Sequence, residues 1–266
     1  CILDAGNWEG DTLTEDLDLS YRAQLKHWKF HYLVDVVAPA ELPITINAIR
    51  SQQFRWNKGG AENFRKFIAQ VITAKGHPIW TKINAFFHLI NSSMFLNILL
   101  VSILSVPLIY IKSAYPELSL AYDISTLFII STIIFFTCYW FIHKYIYGGG
   151  LRSFLQYINR FISFYTLVMG FSIHNSIAVL EGYVGKKSSF VRTPKFNKSK
   201  MKDNKYAIKK ISFYSFIEIV LALYFLFGMY ASFNIVAKVD FGLFLFHFFL
   251  FIGFSSISYQ GLKQSI

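Results

Sequence analysis

Three polar clusters in this 266-residue chain have residue types and spacings suited to group-transfer chemistry. The first, Thr14-Glu15-Asp16, stands at the predicted start of a helix, with Asp18 in the same turn. A carboxylate there is well placed to act as a general base, because it can accept the proton of an attacking hydroxyl group. Acids in a first helical turn are also common caps, so this cluster alone favours a structural role.

The second cluster, Gln52-Gln53-Phe54-Arg55-Trp56, falls on a predicted helix. Gln52, Arg55 and Trp56 stand at positions i, i+3 and i+4, so they share one helix face. Arginine forks onto phosphate oxygens, glutamine donates to them, and tryptophan offers a flat surface for a sugar ring. The alternative is an interfacial helix in which Trp56 lies at the lipid headgroups and Arg55 extends to water.

The third cluster, Phe190-Val191-Arg192-Thr193-Pro194-Lys195, belongs to a strongly basic segment. One interpretation is a polybasic loop that binds anionic lipids beside a membrane span. The other is a positively charged loop that covers a nucleotide diphosphate. The residues alone leave both interpretations open.

The composition indicates a membrane protein. Hydrophobic residues make up 54% of the chain and charged residues only 15%, against about a quarter in soluble domains. The net charge of +11 suits nucleic acid or anionic lipid, and the long apolar stretches favour lipid. We therefore expect membrane lipids as partners and no nucleic acid. The two cysteines provide neither a disulfide framework nor a metal site.

Four stretches after residue 84 are long and apolar enough to cross a bilayer. They lie near residues 86–111, 124–142, 211–235 and 241–259. A shorter stretch, 161–173, is expected to be interfacial or re-entrant. Residues 186–210 contain ten basic residues and one acid, so the positive-inside rule places this loop in the cytosol. Four crossings then place residues 1–83 in the cytosol as well, in a multi-pass integral membrane protein.

The part before the spans is predicted to mix helix and strand. A helix begins near Thr14, and residues 29–37 are rich in β-branched and aromatic residues, which favours a strand. A second helix begins near Ile44 and is expected to end at Gly59-Gly60. The following helix has Phe64, Phe67 and Val71 on one face, as expected for a cationic amphipathic helix on a membrane surface.

Taken together, the three clusters closely resemble those of membrane-integrated family-2 glycosyltransferases, the group that contains cellulose synthase and its relatives. The stretch around Thr14-Glu15-Asp16 and the sequence Pro39-Ala40-Glu41-Leu42-Pro43 are most similar to the glucomannan- and xyloglucan-synthase-like branch. Gln52, Arg55 and Trp56 match the motif Q-x-x-R-W. Phe190, Thr193 and Lys195 match the gating-loop motif F-x-x-T-x-K.

The resemblance implies a role for each motif. Asp16, within Thr14-Glu15-Asp16, would be the catalytic base. Gln52 and Arg55 would bind the donor diphosphate, and Trp56 would bind the acceptor sugar. The gating loop, containing Phe190, Thr193 and Lys195, would close over the nucleotide. The implied function is inverting transfer of a hexose from a UDP- or GDP-sugar to a growing β-glycan, which leaves through the membrane part.

The resemblance also implies residues that this chain lacks. The nucleotide-binding aspartate and the metal-binding Asp-x-Asp of the family precede the base motif, and neither occurs before Thr14. We therefore expect the ligands of a Mg²⁺ or Mn²⁺ cofactor to lie outside this chain, which would be an inactive fragment by itself. Single-sugar transfer to a lipid acceptor, a transporter and a non-catalytic scaffold are the alternatives.

The expected fold class is α/β plus membrane α-helical. The chain would comprise the C-terminal end of a GT-A-like glycosyltransferase domain, interface helices and about four transmembrane helices. The expected divisions are the end of the cytosolic domain (1–58), an amphipathic interface helix (59–83) and two spans (84–147). An interface helix with the gating loop (148–210) and two further spans (211–266) follow.

Overall fold

The computed structural model describes residues 1–33, 35–43, 45–125, 128–190, 213–235 and 240–263. Within these ranges the chain is helical and contains no β-strand. The α-helices are α1 (Glu15–Leu25), α2 (Ile46–Thr73), α3 (Ile79–Ile90), α4 (Met94–Ala114), α5 (Ser119–Ser125), α6 (Phe128–Tyr147), α7 (Leu151–Gly170), α8 (Ser172–Val184), α9 (Phe213–Asn234) and α10 (Phe241–Lys263).

The helices divide between two compact units. The first unit contains the described residues of 1–99, 172–190 and 260–263. The second contains those of 100–171 and 213–259. All three clusters that the sequence singles out therefore fall within the first unit, as far as they are described.

Helices α1, α2 and α3 enclose the apolar core of the first unit. Tyr21, Phe67, Val71 and Leu89 are each no more than 5% exposed and form one cluster. The Tyr21 hydroxyl also bonds to His88 Nδ1 at 2.7 Å, which satisfies its polar end inside the protein. Burial disfavours the phenolate and raises the pKa of Tyr21 to about 12.

Helix α2 is longer than the sequence predicts. Its N-cap residue Thr45 accepts a hydrogen bond from the Ala48 backbone N–H, at 3.2 Å, and the helix continues through Gly59-Gly60 to Thr73. The predicted break at the two glycines is wrong. A Cβ added at Gly59 would lie 2.5 Å from Thr14 Oγ1, and one at Gly60 would collide with Ser92. The glycines admit close neighbours, whose contacts offset their low helix propensity.

The apolar face of the second half of α2 is turned toward protein. Phe67 and Val71 are buried in the core, with Phe64 packed beside them, although Ile72 is 57% exposed. We expected this face to contact a membrane surface, and that expectation is wrong for Phe67 and Val71. They are covered by α1 and α3 because those helices present apolar residues at matching positions.

The segment predicted as a strand is not one. Residues 29–33 and 35–37 have no regular secondary structure, and Tyr32 and Val37 are more than 80% exposed. A strand needs hydrogen bonds from a neighbouring strand, and the described residues provide no such neighbour. The α/β, GT-A-like part of the expected fold class therefore stays a prediction.

Among the described residues, three helical stretches are long and apolar enough to cross a membrane: Ile79–Ala114, Phe213–Asn234 and Phe241–Lys263. They coincide with three of the predicted spans. Helices α7 and α8 meet the same criteria only together and are bent at their junction, so they form a fourth span only if the pair crosses as one. The span predicted near 124–142 falls on α5 and α6 and is not among these candidates.

The stretch 161–173 is not a short separate helix. Its first ten residues form the second half of α7, which begins at Leu151, and its last residues begin α8. Polar residues such as Arg152 and Asn159 lie in the first half of α7, so the apolar stretch alone underestimates the helix length.

In the second unit, small and polar residues form the contacts between the helices. A Cβ added at Gly170 in α7 would lie 2.5 Å from the Gly253 carbonyl oxygen in α10. His247 Nε2 lies 2.8 Å from Ser105 Oγ, which connects α10 to α4, and Lys112 pairs with Asp240 at 2.7 Å. Small residues that permit close backbone approach and interhelical hydrogen bonds are typical of helices packed in membranes.

Helix α8 packs closely against α2, and a substitution at Gly182 can test that contact. A Cβ at Gly182 would lie 2.7 Å from both Ala61 Cβ and the Lys58 carbonyl oxygen. Helix propensity alone would make Gly182→Ala stabilising by about 1 kcal/mol. We expect the opposite sign, because overpacking typically costs ~1–3 kcal/mol.

The measurement is the melting temperature of the detergent-purified protein. The control is Gly10→Ala, since a Cβ at Gly10 meets nothing within 4 Å. A melting temperature of Gly182→Ala equal to or above that of the unaltered protein would contradict the close α2–α8 packing.

Candidate active site

One face of helix α2 carries the residues of the second cluster. Gln52, Trp56, Gly59 and Asn63 stand at positions i, i+4, i+7 and i+11, so they line up along the helix. Arg55 lies at the margin of the same face. We call this row the α2 site face. Trp56 is 50% exposed, and Gln52 and Arg55 are partly buried.

The base motif is seated on the α2 site face. Asn63 is fully buried, and its side-chain amide donates to Thr14 Oγ1 at 2.9 Å and to the Gly59 carbonyl at 2.9 Å. Thr14 holds the N-cap position of α1, yet its side chain makes no capping bond to the helix. The hydroxyl instead accepts a hydrogen bond from Asn63 of α2, about two helical turns beyond Arg55 and Trp56.

A second contact holds the backbone just before the motif. The Leu13 N–H donates to Glu62 Oε2 at 2.8 Å. Burial raises the pKa of Glu62, and the Leu13 hydrogen bond and the nearby Lys58 charge only partly oppose this rise. Glu62 and Asn63 are adjacent in sequence, so one turn of α2 binds two successive residues of the base motif segment.

The two acids of the base motif lie at the open end of α1. Asp16 is exposed, and its Oδ1 accepts a hydrogen bond from the Leu17 N–H at 2.9 Å. Glu15 is partly exposed. An exposed carboxylate at a helix N-terminus is accessible to an incoming hydroxyl group, as a general base must be.

Asp18 has a different role from Asp16. It is fully buried, with its carboxylate 2.6 Å from Arg22 Nε and 2.5 Å from Lys66 Nζ. Lys66 also pairs with Glu9 and Asp11, each at 2.8 Å. Burial lowers the pKa of Lys66, but its hydrogen bonds to these acids outweigh burial and raise it.

These acids raise the question of a metal site. Oxygens of Glu9, Asp11 and Asp18 lie within 4.8 Å of one another, close enough to hold a cation. The Lys66 ammonium already pairs with all three acids, and the Arg22 guanidinium pairs with Asp18 and Glu9. We assign no metal ion to these three acids, because cationic side chains of the protein already occupy the space between them.

The third cluster meets the second at one described contact. The guanidinium carbon of Arg55 lies 4.6 Å from the centre of the Phe190 ring, a cation–π distance. The predicted gating-loop residue Phe190 thus lies against the predicted diphosphate-binding residue Arg55. Thr193 and Lys195 lie outside the described residues.

The structure adds residues that the sequence analysis missed. Gly59, Glu62 and Asn63 seat the base motif, and Lys58 binds the chain that leads to Phe190. The available signal was their position: they follow Trp56 on one helix and are polar or small where an amphipathic pattern does not require it. Nothing in the sequence indicates their distant partners.

This chain is similar in sequence to known proteins over part of its length. It is 45% identical over 87 residues to glucomannan 4-beta-mannosyltransferase 1 from Oryza sativa subsp. japonica, which is 33% of this chain and 17% of that protein. It is 48% identical over 80 residues (30% and 15%) to probable glucomannan 4-beta-mannosyltransferase 9 from the same organism. It is 44% identical over 82 residues (31% and 15%) to glucomannan 4-beta-mannosyltransferase 2 from Arabidopsis thaliana.

These similarities confirm the resemblance to the glucomannan-synthase-like branch, over about a third of the chain. Each match spans only 15–17% of these three relatives. No family model and no solved structure matches the chain.

The burial of Glu62 predicts a pH-dependent stability. Because the folded-state pKa of Glu62 is raised above 4.5, the stability it contributes is present below pH 4.5 and is lost as the pH rises through the folded-state value. Glu62→Gln keeps an acceptor for the Leu13 N–H and does not ionise. We expect its melting temperature, relative to the unaltered protein, to increase between about pH 4 and pH 7.

Glu62→Leu is the matched control, since it leaves the Leu13 N–H without this acceptor. Relative to Glu62→Gln, which does not ionise either, it should be destabilised by about 1–3 kcal/mol at every pH. A Glu62→Gln difference that stays constant with pH would contradict the raised pKa. Melting curves in detergent at four or five pH values are sufficient.

Proposed function

We propose that this chain is the acceptor-side part of an inverting glycosyltransferase that adds a hexose from a UDP- or GDP-sugar to a growing β-glycan. The observation that carries the proposal is the seating of Thr14 on Gly59 and Asn63. It brings a base motif to the helix face that bears Gln52, Arg55 and Trp56. The similarity to proteins named glucomannan 4-beta-mannosyltransferases supports the same reaction class.

The proposed reaction is a single displacement. The acceptor hydroxyl oxygen attacks the anomeric carbon of the donor sugar, and the Asp16 carboxylate accepts the hydroxyl proton. The bond between the anomeric carbon and the diphosphate oxygen breaks, and the diphosphate leaves with the bonding electrons. Attack opposite the leaving group inverts the anomeric centre. Thr14 and its contacts with α2 hold Asp16 in place.

The α2 site face supplies the binding groups. Arg55 and Gln52 donate to the diphosphate oxygens, which stabilises the charge that develops on the leaving group. The half-exposed Trp56 packs against the acceptor sugar. A divalent cation would stabilise the diphosphate as well, but no residue described here is assigned to hold one, and no step is attributed to it.

The membrane part gives the product a route. In the described part of the chain, three helical stretches, or four if the bent pair crosses as one, are long and apolar enough to cross a bilayer. We propose that residues 1–83 and the basic loop face the cytosol, where nucleotide sugars are available, and that the glycan leaves among the spans. Membrane lipids surround these helices. The gating loop with Phe190, Thr193 and Lys195 would close over the bound nucleotide.

The first test uses the full-length protein that contains this chain, in membrane vesicles with radiolabelled UDP-glucose or GDP-mannose and Mg²⁺ or Mn²⁺. We expect ethanol-insoluble label that disappears with EDTA and falls at least about 1,000-fold in Asp16→Asn, which removes the proton acceptor without changing side-chain size. Asp35→Asn, in the exposed segment between α1 and α2, is the control and should retain activity.

Full activity of Asp16→Asn would overturn the assigned base. Absence of transfer from every donor, by folded protein, would overturn the proposed function and favour a transporter or scaffold.

A second test separates a polymer from a lipid acceptor. If Trp56 binds the acceptor sugar, Trp56→Ala should lower incorporation into polymer by about 10–100-fold, in keeping with ~1–3 kcal/mol for a lost aromatic stacking surface. Trp80→Ala, an exposed tryptophan on α3, is the matched control. Label found only in the organic phase, with no effect of Trp56→Ala, would instead indicate single-sugar transfer to a lipid.

A further inference from the structure

Helix α2 contains a fully buried lysine that the proposed reaction does not use. Lys58 is 0% exposed and follows Arg55 and Trp56 by less than one helical turn. Burying an ammonium group is unfavourable unless it is paired and hydrogen-bonded. The position of Lys58 is therefore explained only by the partners that it binds.

Those partners lie at the end of α8 and in the segment that follows it. The Lys58 ammonium donates to Glu181 Oε2 at 3.0 Å and to Ser188 Oγ. The other oxygen of Glu181 accepts from Lys186 Nζ at 2.5 Å. We call Lys58, Glu181 and Ser188 the latch. It closes a hydrogen-bonded connection between α2 and residues 130 positions away in sequence.

The segment 185–190 contacts α2 at three successive points. Gly185, at φ +77°, leaves room for the Arg65 guanidinium, where any Cβ would collide. Ser188 binds Lys58, and Phe190 lies under Arg55. As the residue number in the segment increases from 185 to 190, the residue number of its partner in α2 decreases from 65 to 55. The segment and the helix therefore run antiparallel. Ten residues of helix rise about 15 Å, a distance that five extended residue steps can cover.

We propose that the latch positions Arg55 for the donor diphosphate, acting through Phe190. The inference rests on the proposed function, because it gives a purpose to Arg55. Ser188 is held two residues before Phe190, so the latch fixes where the aromatic ring lies. The ring then stacks on one face of the guanidinium. The N–H groups in the guanidinium plane stay oriented for a bidentate contact with phosphate oxygens.

Lys58, Glu181 and Ser188 are positioning residues, since none of them is proposed to touch the substrate. Loss of the latch should therefore weaken donor binding more than it slows the chemical step. A purely structural role would lower the melting temperature and the amount of active protein without a specific change in the KM for the donor.

The kinetic test uses the full-length protein in vesicles. In Glu181→Gln we expect the KM for the nucleotide sugar to rise about 5–20-fold, with kcat within about 2-fold of the unaltered enzyme. Phe190→Ala should give a similar rise. The double variant should be no worse than either single variant, because both remove one chain of contacts. Lys75→Met, an exposed lysine after α2, is the control.

A second readout does not depend on catalysis. Trypsin cleaves after Lys186 and Lys187, and Glu181→Gln removes no trypsin site. We expect these bonds to be cut several-fold faster in the Glu181→Gln protein, because local opening governs cleavage. Ser188→Ala should show a smaller increase. Intact melting temperatures establish that the variants fold.

The outcomes are distinct. A raised KM, a non-additive double variant and faster cleavage support the latch. An unchanged KM in an active enzyme, additive effects, or unchanged cleavage overturn it. If the unaltered protein transfers no sugar, the proposed function fails first, and the positioning role fails with it; the cleavage rates then report only whether the α2 contacts exist.

Discussion

Helix α2 has no side chain at two successive positions, Gly59 and Gly60, and three neighbours approach its backbone in that region. Thr14 lies against Gly59, Ser92 against Gly60, and Gly182 of α8 against Ala61. A single larger residue here would push away the base motif, the part of the candidate span Ile79–Ala114 that contains Ser92, or α8. The proximity of the three chemical clusters depends on this close approach, since each one lies on α2 or on an element that packs against it.

Ion pairs connect α2 to other segments at two places along the helix, and each includes one fully buried charged side chain, Asp18 or Lys58. Lys66 binds Glu9, Asp11 and Asp18 and so connects α2 to the segment before and within α1. Lys58 binds Glu181 and Ser188 and connects α2 to the segment after α8. Such pairs contribute little net stability compared with apolar packing, but leaving either partner uncompensated is costly. They therefore specify which segments lie together.

The membrane helices follow a different physical rule. Between apolar helices in lipid there is no hydrophobic driving force, so packing depends on close backbone contact and hydrogen bonds. Gly170 against Gly253 provides the first, and His247 bonded to Ser105 provides the second. The same amino acid, glycine, thus permits close packing in both units, next to polar site residues in one and between candidate spans in the other.

The sequence alone indicated the resemblance to the glucomannan-synthase-like branch, which the relatives confirm over about a third of the chain, and several of the helices. Residue types and spacing were enough to place Asp16 at the start of a helix, to place Gln52, Arg55 and Trp56 on one helix face, and to find three of the candidate spans, because these features depend on neighbours within one helix or on composition. Local signals failed where distant contacts decide the outcome. Residues 29–37 lack a partner strand among the described residues, and Gly59-Gly60 do not end α2 because close tertiary contacts offset their weak helix propensity.

Only the tertiary structure revealed that Asn63 holds Thr14, that Lys58 reaches Ser188, and that Arg55 lies on Phe190. These contacts join residues far apart in the chain. Their formation depends on the free energy of the whole packed unit, which no short stretch of sequence expresses.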